Sequence, residues 1–294
     1  MDTQINTPLA THLSMKLGGP ARFMAEVASV EQLQQLIANI KEKQLPFYVI
    51  GGGTNIIAHD EGFNGVIIKN RIMGMEVIAE DKDSATIKAN AGELWDDLVA
   101  LAVEKNLNGI AAMSIIPGTC GAAPVQNIGA YGEEVADTLV EVEALDTTTN
   151  QLVALSNEQC RFGYRTSLFR DGEPGRYIIT AITLTLYKTA PAPPFYAGLQ
   201  RYFDEHHITD YTVQIIREAV MAIRHSKLPD PTRKPNSGSF FKNAVVPHWV
   251  LSDLLSEYPD MPHFDMGEGN YKIPTGWLID KCDLKGKLLH GMRV

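Results

Sequence analysis

The chain has 294 residues, of which 45% are hydrophobic and 21% are charged, and its formal net charge is −9. This length allows two or three compact units, and the acidic balance disfavours a nucleic-acid-binding protein, because such proteins carry basic surfaces. No apolar run approaches the roughly 18 residues of a membrane span, and the N-terminus lacks a signal-peptide pattern. The three cysteines fit neither a disulfide framework nor a metal site, so we expect a metal-free cytoplasmic protein without membrane insertion.

The first predicted elements are a helix and two short strands. Apolar residues within 29–40 recur at the spacing of one buried helix face, and Ser29 with Gln32 has the signature of a capping box at its start. The run FYVI at 47–50 indicates a buried strand, and VIIK at 66–69 indicates another. No helix is predicted between these two strands.

Three glycines, Gly51 to Gly53, directly follow the first of these strands. A Rossmann loop requires G-x-G-x-x-G at the start of a helix, but position 56 is Ile, and the P-loop pattern is also absent. Two interpretations stay open. One is an anion-binding loop of successive backbone N–H groups, to which Thr54 and Asn55 add donors, and the other is a tight turn between strands.

The second region begins near residue 73 with a predicted hairpin over 76–89 and a helix over 93–105. Two strands with alternating patterns come later. In the first, the apolar residues of 140–144 are expected to share one face, and in the second, alternate residues of 178–186 are expected to share one face.

A long segment of small residues, IPGTCGAAPVQNIGAYG at 116–132, lies between that helix and those strands. Its glycines and prolines are too irregular for a helix or a strand interior, and long irregular loops in compact domains are usually functional. Small side chains allow the backbone to approach a flat ligand, and Gln126 and Asn127 offer hydrogen bonds to ring nitrogens and carbonyls. The alternative is a buried structural loop, which would hold many backbone groups away from partners.

The last part of the chain begins with a stiff proline-rich stretch at 190–195, expected to act as a linker, and a predicted helix over 212–225. Between Arg224 and Lys242 the local charge reverses, with five basic residues and a single acid, Asp230.

Five motifs in this order resemble the UDP-N-acetylenolpyruvoylglucosamine reductases, flavoproteins that complete UDP-N-acetylmuramate for bacterial cell-wall synthesis. The resemblance covers nearly the whole chain. The motifs are GGGTN at 51–55, the segment 116–132, CRFGYRTS at 160–167, KLPDP at 227–231 and NSGSFFKN at 236–243.

The resemblance implies an α+β protein with the two-lobed FAD-binding fold of the vanillyl-alcohol-oxidase/PCMH type and a smaller α/β substrate-binding domain. The implied lobes are 1–72 and 73–223, the second with a linker and a tyrosine-bearing segment at 189–211, and the substrate-binding domain is 224–294. That segment is typical of one subclass of the family. The implied protein is a monomer acting on a nucleotide sugar.

The resemblance also implies the reaction and the cofactor. NADPH reduces bound FAD, and the reduced flavin then transfers hydride to C3 of UDP-N-acetylglucosamine enolpyruvate, while an acid of the protein protonates C2. The glycine loop is expected to bind the FAD diphosphate, and the second loop to lie along the flavin. The implied cofactor-binding residues are Gly51, Gly52, Gly53, Thr54, Asn55, Arg71, Pro117, Gly118, Gly121, Ala122, Ala123, Gln126, Asn127, Ile128 and Gly129.

Two residues match catalytic positions of the family. Arg165 in FGYR is expected to stabilise the negative charge that develops beside the substrate carboxylate, and Ser239 in GSFFKN is expected to donate the proton. A serine hydroxyl is a weak acid, so nearby positive charge is needed to favour its alkoxide. The implied substrate-binding residues are Tyr131, Tyr196, Arg224, Lys227 and Asn243.

The family also has a catalytic glutamate in a C-terminal segment that extends beyond the match to this chain. On this basis the sequence leaves two hypotheses of different classes. The first is an FAD-dependent, NADPH-using reductase that is C-terminally truncated relative to the family. The second is a catalytically impaired flavin- or nucleotide-binding remnant.

Overall fold

The computed structural model describes residues 3–294, which divide into two compact units. The larger unit ends at Gly238, and the smaller unit is Ser239–Val294. The larger unit therefore includes residues 224–238, which the sequence analysis places in the substrate-binding domain. The predicted boundary at residue 224 stays a prediction.

The first sheet of the larger unit has four strands in the order β1-β2-β4-β3, and β2, β4 and β3 run parallel. The apolar face of α1 packs on this sheet, where Leu33 and Ile37 are fully buried against Val27 and Ile68. The periodic pattern thus predicts both the helix and its buried face correctly. The elements are β1 (Thr3–Pro8), β2 (Pro20–Val27), α1 (Val30–Glu42), β3 (Phe47–Ile50) and β4 (Phe63–Asn70).

Helix α1 begins where the sequence predicts, but its cap differs from the expected capping box. The Ser29 hydroxyl accepts a hydrogen bond from the Gln32 N–H at 3.3 Å. The side-chain oxygen of Gln32 accepts from the N–H of Ala28 at 2.8 Å, instead of from Ser29. The capping-box prediction is therefore wrong for its second half, because the glutamine reaches one residue further back along the chain.

The second sheet has five antiparallel strands in the order β10-β9-β11-β6-β5. Its core is covered by α2, which buries Trp95 completely, and by α4. The predicted hairpin and both predicted helices are confirmed. Strands β7 and β8 form a separate two-stranded hairpin. The elements of this part of the chain are β5 (Met75–Glu80), β6 (Ser84–Asn90), α2 (Trp95–Glu104), β7 (Gly129–Ala130), β8 (Glu133–Glu134), β9 (Leu139–Asp146), β10 (Gln151–Ser156), β11 (Tyr177–Tyr187), α3 (Ala197–Glu205) and α4 (Val213–Lys227).

A bulge in β9 contradicts the expected alternation at 140–144. Leu184 of β11 pairs with Leu139, and Thr183 pairs with Glu141, so Val140 has no partner opposite it. Val140 is 47% exposed as a result. The prediction that it shares the buried face is wrong, because one extra residue reverses the side-chain direction.

A second bulge contradicts the single face expected for β11. Thr180 is an extra residue between the partners of Glu143 and Ala144. Ile178 consequently packs in the cluster formed with α1, whereas Ile182 packs in the core of the second sheet. The strand thus contributes to both cores, which strict alternation does not predict.

Helix α3 is not predicted from the sequence. It follows the proline-rich stretch and buries Leu199 and Phe203 in the core of the larger unit. The Phe195 ring lies 5.1 Å from that of Phe203 and 4.8 Å from that of Tyr211, measured between centroids. The chain is thus anchored in the core directly after the proline-rich stretch.

The smaller unit contains a three-stranded antiparallel sheet in the order β12-β14-β13. Leu251, Met261 and Ile273 form its small core. A short hairpin of β15 and β16 follows. The elements are β12 (Ala244–Pro247), α5 (His248–Glu257), β13 (Phe264–Asp265), β14 (Asn270–Ile273), α6 (Thr275–Lys281), β15 (Leu288–Leu289) and β16 (Met292–Arg293).

None of the helices in residues 3–294 is both long and apolar enough to cross a bilayer. The same residues contain no group of three or more His, Cys, Asp or Glu side chains that could hold a metal ion.

Replacing Phe203 with alanine tests whether α3 is a core element. We expect Phe203→Ala to lower the free energy of unfolding by about 3–5 kcal/mol, since it removes a fully buried ring. Urea unfolding measures this loss, with the exposed Arg201→Ala as the control in the same helix. A loss for Phe203→Ala equal to that of the control would contradict the placement of α3.

Candidate active site

The glycine loop, residues 51–55, follows β3 and is closely packed. A Cβ atom on Gly51 would lie 2.3 Å from Oγ1 of Thr119, and one on Gly53 would lie 2.2 Å from the carbonyl oxygen of His12. Gly53 also has a φ of +64°, in the left-handed region. Close backbone approach therefore requires glycine at position 53, and a side chain at position 51 would displace that of Thr119. No helix follows the loop.

The structure brings the glycine loop against the small-residue segment 116–132. The hydroxyl of Thr54 donates to the carbonyl of Pro117 at 3.1 Å. The amide nitrogen of Asn55 donates to the side-chain oxygen of Gln126 at 3.1 Å. The two loops that the sequence analysis singled out separately thus form one surface.

The backbone of this surface fits a diphosphate. The N–H groups of residues 52–55 form no hydrogen bond with another described residue. A Cβ atom on Gly52 would lie 3.3 Å from Cα of Gly118, so a larger side chain would fill the space between the loops. Successive unpaired N–H groups are the donors that an anion-binding loop requires, so these residues suit the diphosphate of FAD.

The rest of the segment is held by close packing and by short turns. Gly121 lies against Ala91, where a Cβ atom would come within 2.5 Å of the alanine Cβ. Residues 124–126 form a 3-10 turn, after which the N–H of Ile128 donates to the carbonyl of Ala123 at 3.1 Å. Along the same segment lie the other predicted cofactor residues, Pro117, Gly118, Ala122 and Gly129.

Asn127 holds the segment in place through its side chain. It is fully buried and has a φ of +45°. Its amide nitrogen donates to the carbonyl of Gly163 at 3.3 Å, and its amide oxygen accepts from the N–H of Ala136 at 3.0 Å. The side chain of Asn127 thus anchors the segment, and its expected hydrogen bonds to a flavin ring stay a prediction.

The side chain of Arg165 contacts the last part of the segment 116–132. Its guanidinium donates to the carbonyl of Asn127 at 2.9 Å and to that of Gly129 at 2.7 Å. The carbonyl of Arg165 accepts from the guanidinium of Arg170 at 2.8 Å. The side chain of the predicted catalytic arginine is thus fixed against the predicted cofactor loop, and its backbone is held separately by Arg170.

Three of the predicted substrate residues lie together. The rings of Tyr131 and Tyr196 make an edge-to-face contact with centroids 5.9 Å apart. Burial raises the pKa of Tyr131, and the positive charge of Arg224 acts in the opposite direction. Arg224 donates to the carbonyl of Ile115 at 3.4 Å, while Lys227 lies exposed in the last turn of α4.

Arg71 follows β4 and belongs to a small group of charges. Its Nε lies 3.7 Å from a carboxylate oxygen of Glu26, and the ammonium of Lys69 lies 3.5 Å from the other oxygen. Lys69 also lies 3.4 Å from Nδ1 of His12, whose carbonyl oxygen faces Gly53. Burial and the Lys69 charge lower the pKa of His12. No sequence pattern marks His12 or Lys69 as part of the site.

The remaining predicted residues lie in the smaller unit. Ser239 is its first residue and is exposed. Asn243 accepts a hydrogen bond from the N–H of Thr275 at 3.1 Å, and the Thr275 hydroxyl donates to the carbonyl of Lys242 at 2.6 Å. The GSFFKN motif is therefore attached to the start of α6.

Glu133 is a titratable group near the site that no sequence pattern revealed. It stands in the β7–β8 hairpin, and its carboxylate accepts from the N–H of Ala112 at 2.8 Å. Burial raises its pKa from the ordinary 4.5 to about 7, and the negative charge of Asp137 acts in the same direction.

Comparisons with known proteins agree with this geometry. Residues 21–156 match the FAD binding domain model, and residues 230–294 match the C-terminal domain model of UDP-N-acetylenolpyruvoylglucosamine reductase. The reductase of Pasteurella multocida is 40% identical over 93% of this chain and 79% of that protein. The chain belongs to the UDP-N-acetylenolpyruvoylglucosamine reductase family.

Two further relatives extend this result. The reductase of Bdellovibrio bacteriovorus is 38% identical over 98% of this chain and 85% of that protein. The crystal structure of the Thermus caldophilus reductase covers 98% of this chain and 82% of that chain, with a TM-score of 0.65 and 22% identity. The predicted family and the fold, an FAD-binding domain joined to a family-specific C-terminal domain, are confirmed.

The approach of the two loops predicts the effect of a side chain at Gly52. We expect Gly52→Val to purify without FAD, because the valine would fill the space between the loops that bare backbone leaves open. The flavin absorbance of the purified protein measures this loss. The control is Gly276→Val, since a Cβ atom at Gly276 meets no atom within 4 Å. A fully flavinated Gly52→Val protein would refute the placement of the cofactor.

Glu133 predicts a pH dependence of stability. Its pKa in the folded protein is about 7, against an ordinary value of 4.5, so the folded protein binds this proton more tightly than the unfolded chain. The contribution of Glu133 to the free energy of unfolding is therefore fully present below pH 4.5 and is lost as the pH rises to about 7. Glu133→Gln should lack that decline in the free energy of unfolding, whereas the exposed Glu158→Gln should keep it. If the free energy of unfolding depends on pH in the same way in wild type and in Glu133→Gln, the raised pKa of Glu133 is contradicted.

Proposed function

We propose that the chain catalyses the NADPH-dependent reduction of UDP-N-acetylglucosamine enolpyruvate to UDP-N-acetylmuramate, a step of peptidoglycan precursor synthesis. The observation that carries the proposal is the joined pair of loops with Arg165 fixed against them, in a member of this reductase family. The substrate class expected from the family is a nucleotide sugar. The cytoplasmic location and the monomeric state stay predictions.

The chain would hold FAD by its backbone more than by its side chains. The unpaired N–H groups of residues 52–55 suit the diphosphate, and the segment 116–132 is suited to lie along the ring system. When bound, FAD supplies the hydride chemistry between NADPH and the enolpyruvyl group. The protein contributes positioning, charge stabilisation and one proton.

Arg165 and Ser239 are proposed as the catalytic residues. Addition of hydride to an enol ether beside a carboxylate builds up negative charge, and a fixed guanidinium lowers the barrier to this step. The carbonyls of Asn127 and Gly129 orient the guanidinium of Arg165 for that role. The Ser239 hydroxyl donates the proton to C2, and the positive charge of Lys242 favours the resulting alkoxide.

Five residues are proposed to bind the substrate. The guanidinium of Arg224 and the ammonium of Lys227 suit the diphosphate, since both side chains pair directly with phosphate oxygens. Tyr131 and Tyr196 form an aromatic pair beside Arg224, and Asn243 lies in the GSFFKN motif. We propose that the Tyr196 segment places the chain in the tyrosine-bearing subclass of the family.

Two anaerobic half-reactions test the proposed function. We expect purified protein to carry FAD that NADPH bleaches, and we expect the enolpyruvyl nucleotide sugar to restore the flavin absorbance. Because oxygen is absent, only substrate reduction accounts for the recovery. Flavin that stays reduced after addition of the substrate would contradict the proposal.

Ser239→Ala separates the two half-reactions. We expect bleaching by NADPH to stay within about threefold of wild type and reoxidation by substrate to slow by about 10²–10⁴-fold, the usual contribution of a general acid. Stopped-flow absorbance measures both rates. Ser237→Ala, in the same motif, is the matched control and should leave both rates unchanged. Equal slowing of both half-reactions in Ser239→Ala would rule out the proton-donor role.

A further inference from the structure

Ile115 has an unusual backbone conformation immediately before the cofactor segment. Its φ is +51°, in the left-handed region that β-branched residues rarely adopt. Only Ile116 separates it from Pro117, whose carbonyl accepts from Thr54 of the glycine loop. The direction in which the chain leaves Ile115 therefore determines where Pro117 and Gly118 lie.

Side chains hold both polar backbone groups of Ile115. Its N–H donates to the carboxylate of Asp96 at 2.6 Å, from the first turn of α2. Its carbonyl accepts from the guanidinium of Arg224 at 3.4 Å, from α4. The same residue thus connects the start of the cofactor segment to Arg224, which we propose binds the substrate.

Arg217 fixes the Asp96 carboxylate in turn. Its two terminal nitrogens donate to the two carboxylate oxygens at 2.7 and 2.9 Å, a bidentate arrangement. One of these nitrogens also donates to the hydroxyl of Ser114 at 3.1 Å. Burial acts to raise the pKa of Asp96, but hydrogen bonds from Arg217 and Ile115 lower it overall, so the carboxylate is charged.

We propose that the Asp96–Arg217 pair holds Ile115 in its left-handed conformation and thereby positions both the cofactor segment and Arg224. Asp96 and Arg217 are positioning residues in this account. The inference rests on the proposed function of the segment 116–132 and of Arg224. A pair that only joins α2 to α4 would affect stability without any dependence on residue 115.

Glycine at position 115 distinguishes these two roles, because glycine adopts a positive φ without strain. We expect Arg217→Met to weaken FAD binding by about tenfold and to raise KM for the nucleotide sugar by a similar factor. Adding Ile115→Gly to Arg217→Met should restore most of both losses. Ile115→Gly alone should stay within about threefold of wild type. Titration of apoprotein with FAD, followed by flavin fluorescence, and steady-state kinetics measure these values.

A second ion pair provides the matched control. Arg176 donates to the buried Asp146 at 2.8 Å, in a turn connected to β9 and β11. Arg176→Met should lower the melting temperature but leave the Kd for FAD unchanged. If Arg217→Met fails to fold, the double variant Asp96→Leu/Arg217→Met carries the same test without an unpaired, partly buried carboxylate.

The outcomes separate this inference from the proposed function. Wild-type protein that binds no FAD would overturn the proposed function. Wild-type protein that binds FAD, together with a folded Arg217→Met protein of equal affinity, would overturn the inference alone. Weakened binding that Ile115→Gly does not restore would also overturn it, since the pair would then act by some route other than the conformation of residue 115.

Discussion

The site depends on the close approach of two backbone segments that carry almost no side chain where they meet. A Cβ atom on Gly51 would lie 2.3 Å from Oγ1 of Thr119, and one on Gly52 would lie 3.3 Å from Cα of Gly118. This contact joins the first sheet to the irregular segment beyond α2, so the two parts of the larger unit meet at the proposed cofactor site. Glycine at position 52 keeps the space between the segments open, since a larger side chain would fill it.

A segment with only a 3-10 turn and the two residues of β7 as regular structure needs other partners for its backbone, and here side chains provide several of them. Arg165 satisfies the carbonyls of Asn127 and Gly129 near one end of the segment, and Asp96 and Arg224 satisfy the polar groups of Ile115 just before the other end. Such partners fix a single conformation of the segment. The proposed catalytic and substrate-binding arginines therefore also have structural roles in the loop.

The sequence predicts helix α1 and the β5–β6 hairpin well, because both follow their hydrophobic periods over many residues, but it does not predict α3. It does not predict the bulges at Val140 and Thr180, since one extra residue changes the face without changing composition. Motifs identified the two loops and Arg165. The link between Asp96 and Arg217 joins positions 121 residues apart, and no local pattern reveals such a contact.

We propose that the two loops together bind the diphosphate and the flavin of FAD. A crystal structure of the chain with bound FAD is the decisive test. We expect the diphosphate to accept hydrogen bonds from the N–H groups of residues 52–55 and the flavin ring to lie along the segment 116–132, beside Arg165. A flavin bound elsewhere, or a diphosphate held by side chains with these N–H groups unengaged, would contradict it.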